Sequence, residues 1–139
     1  MTWRSLGRMG VKIKCRRISR GIAEGVAIVS SEPISFFGDV NPETGVIVNE
    51  RHPLFGECIA GKVLVFPTGR GSTVGSYVLY RLAKKGKAPK GIVCKEADPV
   101  VVVGAIIADI PMVDLPEVFG FKSGQRIRID GNVGEVEVL

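Results

Sequence analysis

The stretch Gly69-Arg70-Gly71-Ser72-Thr73-Val74-Gly75-Ser76 holds the residue types best suited to chemistry in this chain. Glycines after a strand let backbone N–H groups approach a ligand, and the start of a helix presents partial positive charge. Arg70 adds a guanidinium able to grip a carboxylate or a phosphate through two hydrogen bonds. An anion site is the natural reading. It is not a known nucleotide loop. A Walker loop needs Gly-Lys-Ser/Thr, and the dinucleotide fingerprint needs glycine where this chain has Val74. Ser72 and Thr73 admit two readings. A serine at a helix start commonly serves as an N-cap, worth about 1 kcal/mol. Alternatively its hydroxyl points into the anion pocket, where Arg70 and the helix end favour its alkoxide and make it a base or a nucleophile. His52 is the only histidine and is not near Ser72 in sequence, so the pattern is not that of a Ser-His-Asp hydrolase.

The other candidates are plainer. Phe36-Phe37-Gly38-Asp39-Val40-Asn41 is either a loop whose phenylalanines plug the core or the lining of a cleft. His52-Pro53 reads as structural. Lys84, Lys85, Lys87 and Lys90 read as solvated charges favoured by a helix C-terminus. Cys15, Cys58 and Cys94 are far apart, with no C-x-x-C, and make neither a zinc site nor a cluster ligand set. If metal is involved, it sits on another chain. An odd cysteine count and a basic first segment with no apolar run behind it point to a reducing, cytoplasmic location rather than secretion.

These residues need a scaffold. With 139 residues, 45% hydrophobic and 24% charged, the chain has the makings of one globular domain, and no apolar run is long enough for a membrane span. The net charge of +5 is concentrated at one end. Residues 1–20 carry Arg4, Arg8, Lys12, Lys14, Arg16, Arg17 and Arg20 and no acid, while the remainder is slightly acidic. Residues 1–10 read as a loose basic arm, and 11–139 as the domain.

Val11–Ile18 alternates as a half-buried strand, and Gly21–Ser30 holds a second apolar run. Ser31–Thr44 predicts a long ordered loop, Gly45–Asn49 a short strand and Arg51–Ala60 a loop. Lys62–Phe66 predicts a buried strand, Ser72–Lys85 a helix capped by Gly86, and Lys90–Lys95 another buried strand. That is a βαβ unit with parallel strands. Asp98-Pro99 opens a short buried helix over Val100–Ala108, against the strand propensity of its valines. A strand follows at Pro111–Leu115. Gln125–Asp130 and Gly134–Val138 form a hairpin around Gly131-Asn132. The sum is an α/β, mostly β fold: a strand–glycine loop–helix–strand unit within a sheet, with one or two helices on one side.

The ordered series of segments is more specific than any one motif. It runs from Ser35-Phe36-Phe37-Gly38-Asp39-Val40-Asn41-Pro42-Glu43-Thr44-Gly45 through His52-Pro53-Leu54, Gly61-Lys62-Val63-Leu64-Val65 and Gly69–Ser76 to Gly91-Ile92-Val93, Asp98-Pro99-Val100 and Gly104-Ala105-Ile106-Ile107-Ala108. In this order the segments resemble the small-subunit, or swivel-domain, part of the aconitase X family across roughly residues 11–115. Within the family the likeness is greatest to the separate small chains of its archaeal, phosphomevalonate-dehydrating branch. The resemblance implies a swivelling β/β/α domain and a large partner subunit carrying an iron–sulfur cluster, with the active site between the two chains. It implies dehydration of (R)-5-phosphomevalonate to trans-anhydromevalonate 5-phosphate in archaeal isoprenoid synthesis. Other branches dehydrate trans-3-hydroxy-L-proline or related hydroxy acids. The family's catalytic serine falls at Ser72, with Arg70, Gly71 and Thr73 as substrate-binding neighbours. One departure is visible: many members have two glycines after the aromatic pair, where this chain has Gly38-Asp39.

Dehydration of a β-hydroxy acid needs a Lewis acid at the leaving hydroxyl and a base at the carbon α to the carboxylate. A serine alkoxide can be that base. Two other classes remain open: a basic nucleic-acid-binding domain resting on residues 4–20, which predicts strongly salt-dependent binding, and a purely regulatory or scaffolding subunit.

Overall fold

A computed structural model describes residues 10–139 of the chain. The loose-arm expectation for residues 1–10 lies, apart from Gly10, outside these described residues. The strands are β1 (Val11–Lys14), β2 (Arg16–Ser19), β3 (Ile22–Val29), β4 (Val63–Phe66), β5 (Gly91–Cys94), β6 (Met112–Asp114), β7 (Arg126–Asp130) and β8 (Glu135–Val138). The helices are α1 (Phe36–Asp39, a single distorted turn), α2 (Gly75–Lys84) and α3 (Pro99–Ile107).

The strand order is β1-β8-β7-β3-β4-β5-β6-β2. The strands at its two ends are consecutive in the chain, so the sheet curls back toward itself. Strand β3 joins two halves. Its Ile22–Val26 part pairs antiparallel with β7, and its Ala27–Val29 part pairs parallel with β4. Strands β4, β5 and β6 continue in parallel. Side chains alternate across the parallel strands and fill two cores. Val63, Val65, Val93 and Val113 face Ile13, Ile127, Ile129 and Val136 of the antiparallel half. Leu64, Phe66, Ile92 and Met112 face the helices, meeting Leu79 and Leu82 of α2 and Val101 and Ala105 of α3. This is a β/β/α layering.

The strand–loop–helix–strand unit forms as expected, with β4 and β5 parallel on either side of α2. The helix is shorter than the predicted Ser72–Lys85: it begins at Gly75 and leaves Ser72 and Thr73 in the turn before it. Helix α3 forms against strand propensity. Asp98 at its N-cap accepts the Val100 N–H at 3.1 Å, and Pro99 occupies the first turn, where its missing N–H costs nothing. It is not buried all round, since Val103, Ile106 and Ile107 are exposed. The C-terminal hairpin also forms, with Asp130 opposite Glu135.

Three expectations are corrected. The single strand Val11–Ile18 breaks at Cys15, where the chain leaves the antiparallel half and crosses to the edge beside β6. The Ser31–Thr44 loop contains α1, whose Gly38 takes φ +125. The predicted strand Gly45–Asn49 makes only isolated bridges, Val40 with Ile47 and Val46 with Cys58.

The basic run has local answers. Lys12 and Lys14 stand opposite Glu137 and Glu135 of β8. Arg16 makes two hydrogen bonds of 2.7 Å to the buried Asp114. At the end of α2, Lys85 and Arg81 pair with Glu43, so these helix-end cations are not all simply solvated. Among the described residues no helix is long and apolar enough to cross a membrane.

Helices α2 and α3 approach closely because Gly104 has no side chain. A Cβ there would lie 2.6 Å from Leu79 Cδ1 and 3.2 Å from Ser76 Cα. Gly104→Ala is therefore expected to destabilise the fold by about 1–3 kcal/mol through overpacking. Urea unfolding of the purified chain measures it.

Candidate active site

The loop that connects β4 to α2 is held from two sides. On one side, Asp98 Oδ1 accepts the Gly69 N–H at 3.0 Å, while the other oxygen of the same carboxylate caps α3. On the other, the Arg70 N–H donates to the Ile34 carbonyl at 3.0 Å, and the Ile34 N–H donates to the Thr68 carbonyl at 3.2 Å. This draws the Ser31–Asp39 segment alongside the glycine loop. Gly71 takes φ +89, and a Cβ there would strike Ser35 Oγ, so only glycine fits.

Ser72 follows at the mouth of α2, exposed. Its Oγ accepts the Val74 N–H at 3.2 Å, and its carbonyl accepts the Gly75 N–H at 3.0 Å. The N-cap position of α2 is Val74, which makes no side-chain cap bond. Ser72 thus turns the chain into the helix without being its N-cap. A backbone N–H and a ten-residue helix end stand behind its oxygen, and both favour negative charge there.

Arg70 and Thr73 diverge on either side of Ser72. Arg70 lines an open cleft of about 370 Å³ together with Arg51, Glu32 and His52. Thr73 lines a separate, mostly apolar groove of about 430 Å³ between α2 and α3, with Val74, Tyr77, Val103 and Ile107. Gly71 shapes the loop without lining either space. A further cavity of about 710 Å³, lined by Pro67, Thr68, Lys95, Asp98 and Leu115, lies at the carboxyl ends of β4, β5 and β6 and takes in none of Arg70, Gly71, Ser72 and Thr73.

The aromatic pair divides between core and surface. Phe36 is buried edge-on against Phe66, with ring centroids 6.0 Å apart, and Phe37 is exposed. His52 is a buried structural residue: its Nδ1 accepts the Leu54 N–H at 3.0 Å and its Nε2 faces the Pro33 carbonyl at 3.1 Å. With Nδ1 accepting, Nε2 is the nitrogen that donates to the Pro33 carbonyl.

Sequence reasoning named Asp39 within the Phe36–Asn41 segment but gave it no role of its own. Its carboxylate is buried, accepts the Ser35 N–H and the Asn49 side-chain amide at 2.8 Å each, and lies 3.8 Å from Arg70 Nη2. The Gly38-Asp39 pair, an acid directly after a glycine in a loop, was the signal. Asp39→Ala is expected to leave the Ser35 N–H and the Asn49 amide unpaired and to destabilise the chain by about 1–3 kcal/mol, which urea unfolding measures.

Burial favours the thiol form at two of the three cysteines. Burial, helped by Asp114 and Glu117, pushes the Cys15 thiol up to about 12, and burial raises Cys94 as well. Metal ligation needs thiolates, which these environments oppose. Among the described residues no three His, Cys, Asp or Glu side chains converge on a metal-sized space.

Comparison with known proteins agrees with this geometry. The family model described as "Aconitase X swivel domain" matches residues 12–138. A chain from Thermococcus kodakarensis named "Phosphomevalonate dehydratase small subunit" is 54% identical over 129 residues, covering 93% of this chain and 97% of that one. One of the same name from Methanosarcina acetivorans is 51% identical over 132 residues, covering 93% of this chain and 92% of that one. The crystal structure of Thermococcus kodakaraensis aconitase X in its holo-form superposes with a TM-score of 0.91 at 54% identity, over 94% of this chain and 99% of that chain. The layered fold, the glycine loop and the match over nearly the whole chain lead to one conclusion: this protein belongs to the aconitase X family, as a swivel-domain chain.

Proposed function

We propose that the chain is the small subunit of a phosphomevalonate dehydratase, a hydro-lyase that converts (R)-5-phosphomevalonate to trans-anhydromevalonate 5-phosphate and water. The observation that carries this is the exposed Ser72 hydroxyl at the mouth of α2, in a chain that matches small subunits of that name over 93% of its length. Ser72 acts as the base. Its alkoxide takes the proton from the carbon α to the carboxylate, and the electrons of that C–H bond become the new double bond. The β hydroxyl leaves, and it and the abstracted proton make up the water released. The Val74 N–H and the helix end stabilise the alkoxide form.

The iron–sulfur cluster and its Lewis acidity are assigned to the large subunit, as membership of the aconitase X family suggests. That subunit docks on the apolar groove between α2 and α3. The groove begins at Thr73, beside Ser72, and a partner seated there closes the site over the serine. Tyr77, Val103, Ile106 and Ile107 are exposed on this side of the molecule. A set of large apolar side chains left open to water is the usual mark of an interface.

A substrate panel on the anaerobically assembled pair tests the reading. Turnover of 5-phosphomevalonate, with none of trans-3-hydroxy-L-proline, is the expected result. The reverse preference would assign the chain to another hydroxy-acid branch of the family.

A further inference from the structure

We propose that Arg51 and Arg70 together hold the substrate phosphate, with Arg51 setting the preference for a phosphorylated hydroxy acid over its unphosphorylated counterpart; this rests on the function proposed above. The two arginines line the same open cleft of about 370 Å³. One residue positions both. Asn49 Oδ1 accepts the Arg51 N–H at 3.0 Å, and Asn49 Nδ2 donates to Asp39 Oδ1 at 2.8 Å. Asp39 Oδ2 lies 3.8 Å from Arg70 Nη2. The next residue, His52, is buried and engaged at both ring nitrogens, which fixes the backbone that presents Arg51. Among the described residues, Arg51 makes no ion pair with a carboxylate.

Charge and distance select the phosphate. A phosphate monoester carries about −1.5 to −2 at neutral pH and offers three acceptor oxygens, which suits two guanidinium forks. A carboxylate carries a single charge and needs one. The substrate carboxylate must also lie next to the carbon that Ser72 deprotonates, whereas the phosphate ends the opposite arm of the molecule. Arg70 precedes Ser72 by two residues, so their Cα atoms lie within about 7 Å and one loop presents both side chains. Glu32 shares the cleft and leaves it with a net positive charge.

The test is steady-state kinetics of the pair assembled with Arg51→Ala, Arg51→Lys or Glu32→Gln, using 5-phosphomevalonate and mevalonate as substrates and inorganic phosphate as competitive inhibitor. Arg51→Ala is expected to raise KM for the phosphorylated substrate and Ki for phosphate by about 10–100-fold, the loss of one or two charge-assisted hydrogen bonds, with a much smaller effect on mevalonate. Arg51→Lys recovers only part, because an ammonium lacks the fork. Glu32→Gln lowers both constants. Equal losses on both substrates, or an unchanged Ki for phosphate, would overturn the assignment. Failure of the wild-type pair to dehydrate 5-phosphomevalonate at all would instead remove the proposed function beneath it, and that result is read before any variant.

Discussion

Ser72→Ala in the assembled enzyme is expected to lower kcat by about 10²–10⁴-fold, the usual contribution of a positioned general base, with KM changed by no more than about threefold. The magnitude follows from where Ser72 stands. Its hydroxyl is exposed, and its partner within the chain is the Val74 N–H at 3.2 Å, so its loss leaves no buried group unpaired. A serine that served only to turn the chain into α2 would cost about 1 kcal/mol of stability and leave turnover alone. Thermal unfolding of the free chain alongside kcat of the complex separates the two roles. A kcat near wild type would favour a scaffolding or regulatory subunit.

The second large effect concerns assembly. Tyr77→Asp and Ile106→Asp each place a charge on the apolar side of the molecule formed by α2 and α3, where the native side chains are 70% and 54% exposed. In the free chain this costs little, because both positions face water. In the complex it buries an unpaired carboxylate, and each variant is expected to weaken association with the large subunit by at least about 30-fold. Val133→Asp is the control. That valine is 65% exposed in the turn between β7 and β8 and is expected to leave association unchanged. Analytical ultracentrifugation of the mixed subunits reads all three. Equal behaviour of Tyr77→Asp, Ile106→Asp and the control would place the partner elsewhere.

Much of this architecture was legible because its signals are local. Asp98-Pro99 announces α3 through cap chemistry that acts within three residues, and it prevailed over the strand propensity of four valines. Gly131-Asn132 marks the final hairpin in the same way. The break at Cys15 was not legible. Val11, Ile13 and Cys15 continue one alternation, and what ends the strand is a choice between two distant partners, β8 and β6. The start of α2 was misplaced for a related reason: Ser72 has the composition of a cap, yet its hydroxyl closes a turn ahead of the helix. In the site, the Gly-Arg-Gly-Ser run stood out by itself, Asp39 showed only as part of the Phe36–Asn41 segment, and Asn49 and Arg51 did not show at all. Their roles come from the Ser31–Asp39 segment lying against the glycine loop, a contact made by backbone hydrogen bonds at Ile34.

The central claim is that this chain completes a dehydratase it cannot form alone. Mixing the purified chain with the large subunit under anaerobic conditions, and following water loss from 5-phosphomevalonate, tests it most directly. Neither subunit is expected to turn over substrate by itself, and activity should rise with added small subunit until one site's worth is filled. A large subunit that dehydrates the substrate at full rate without this chain would contradict the account.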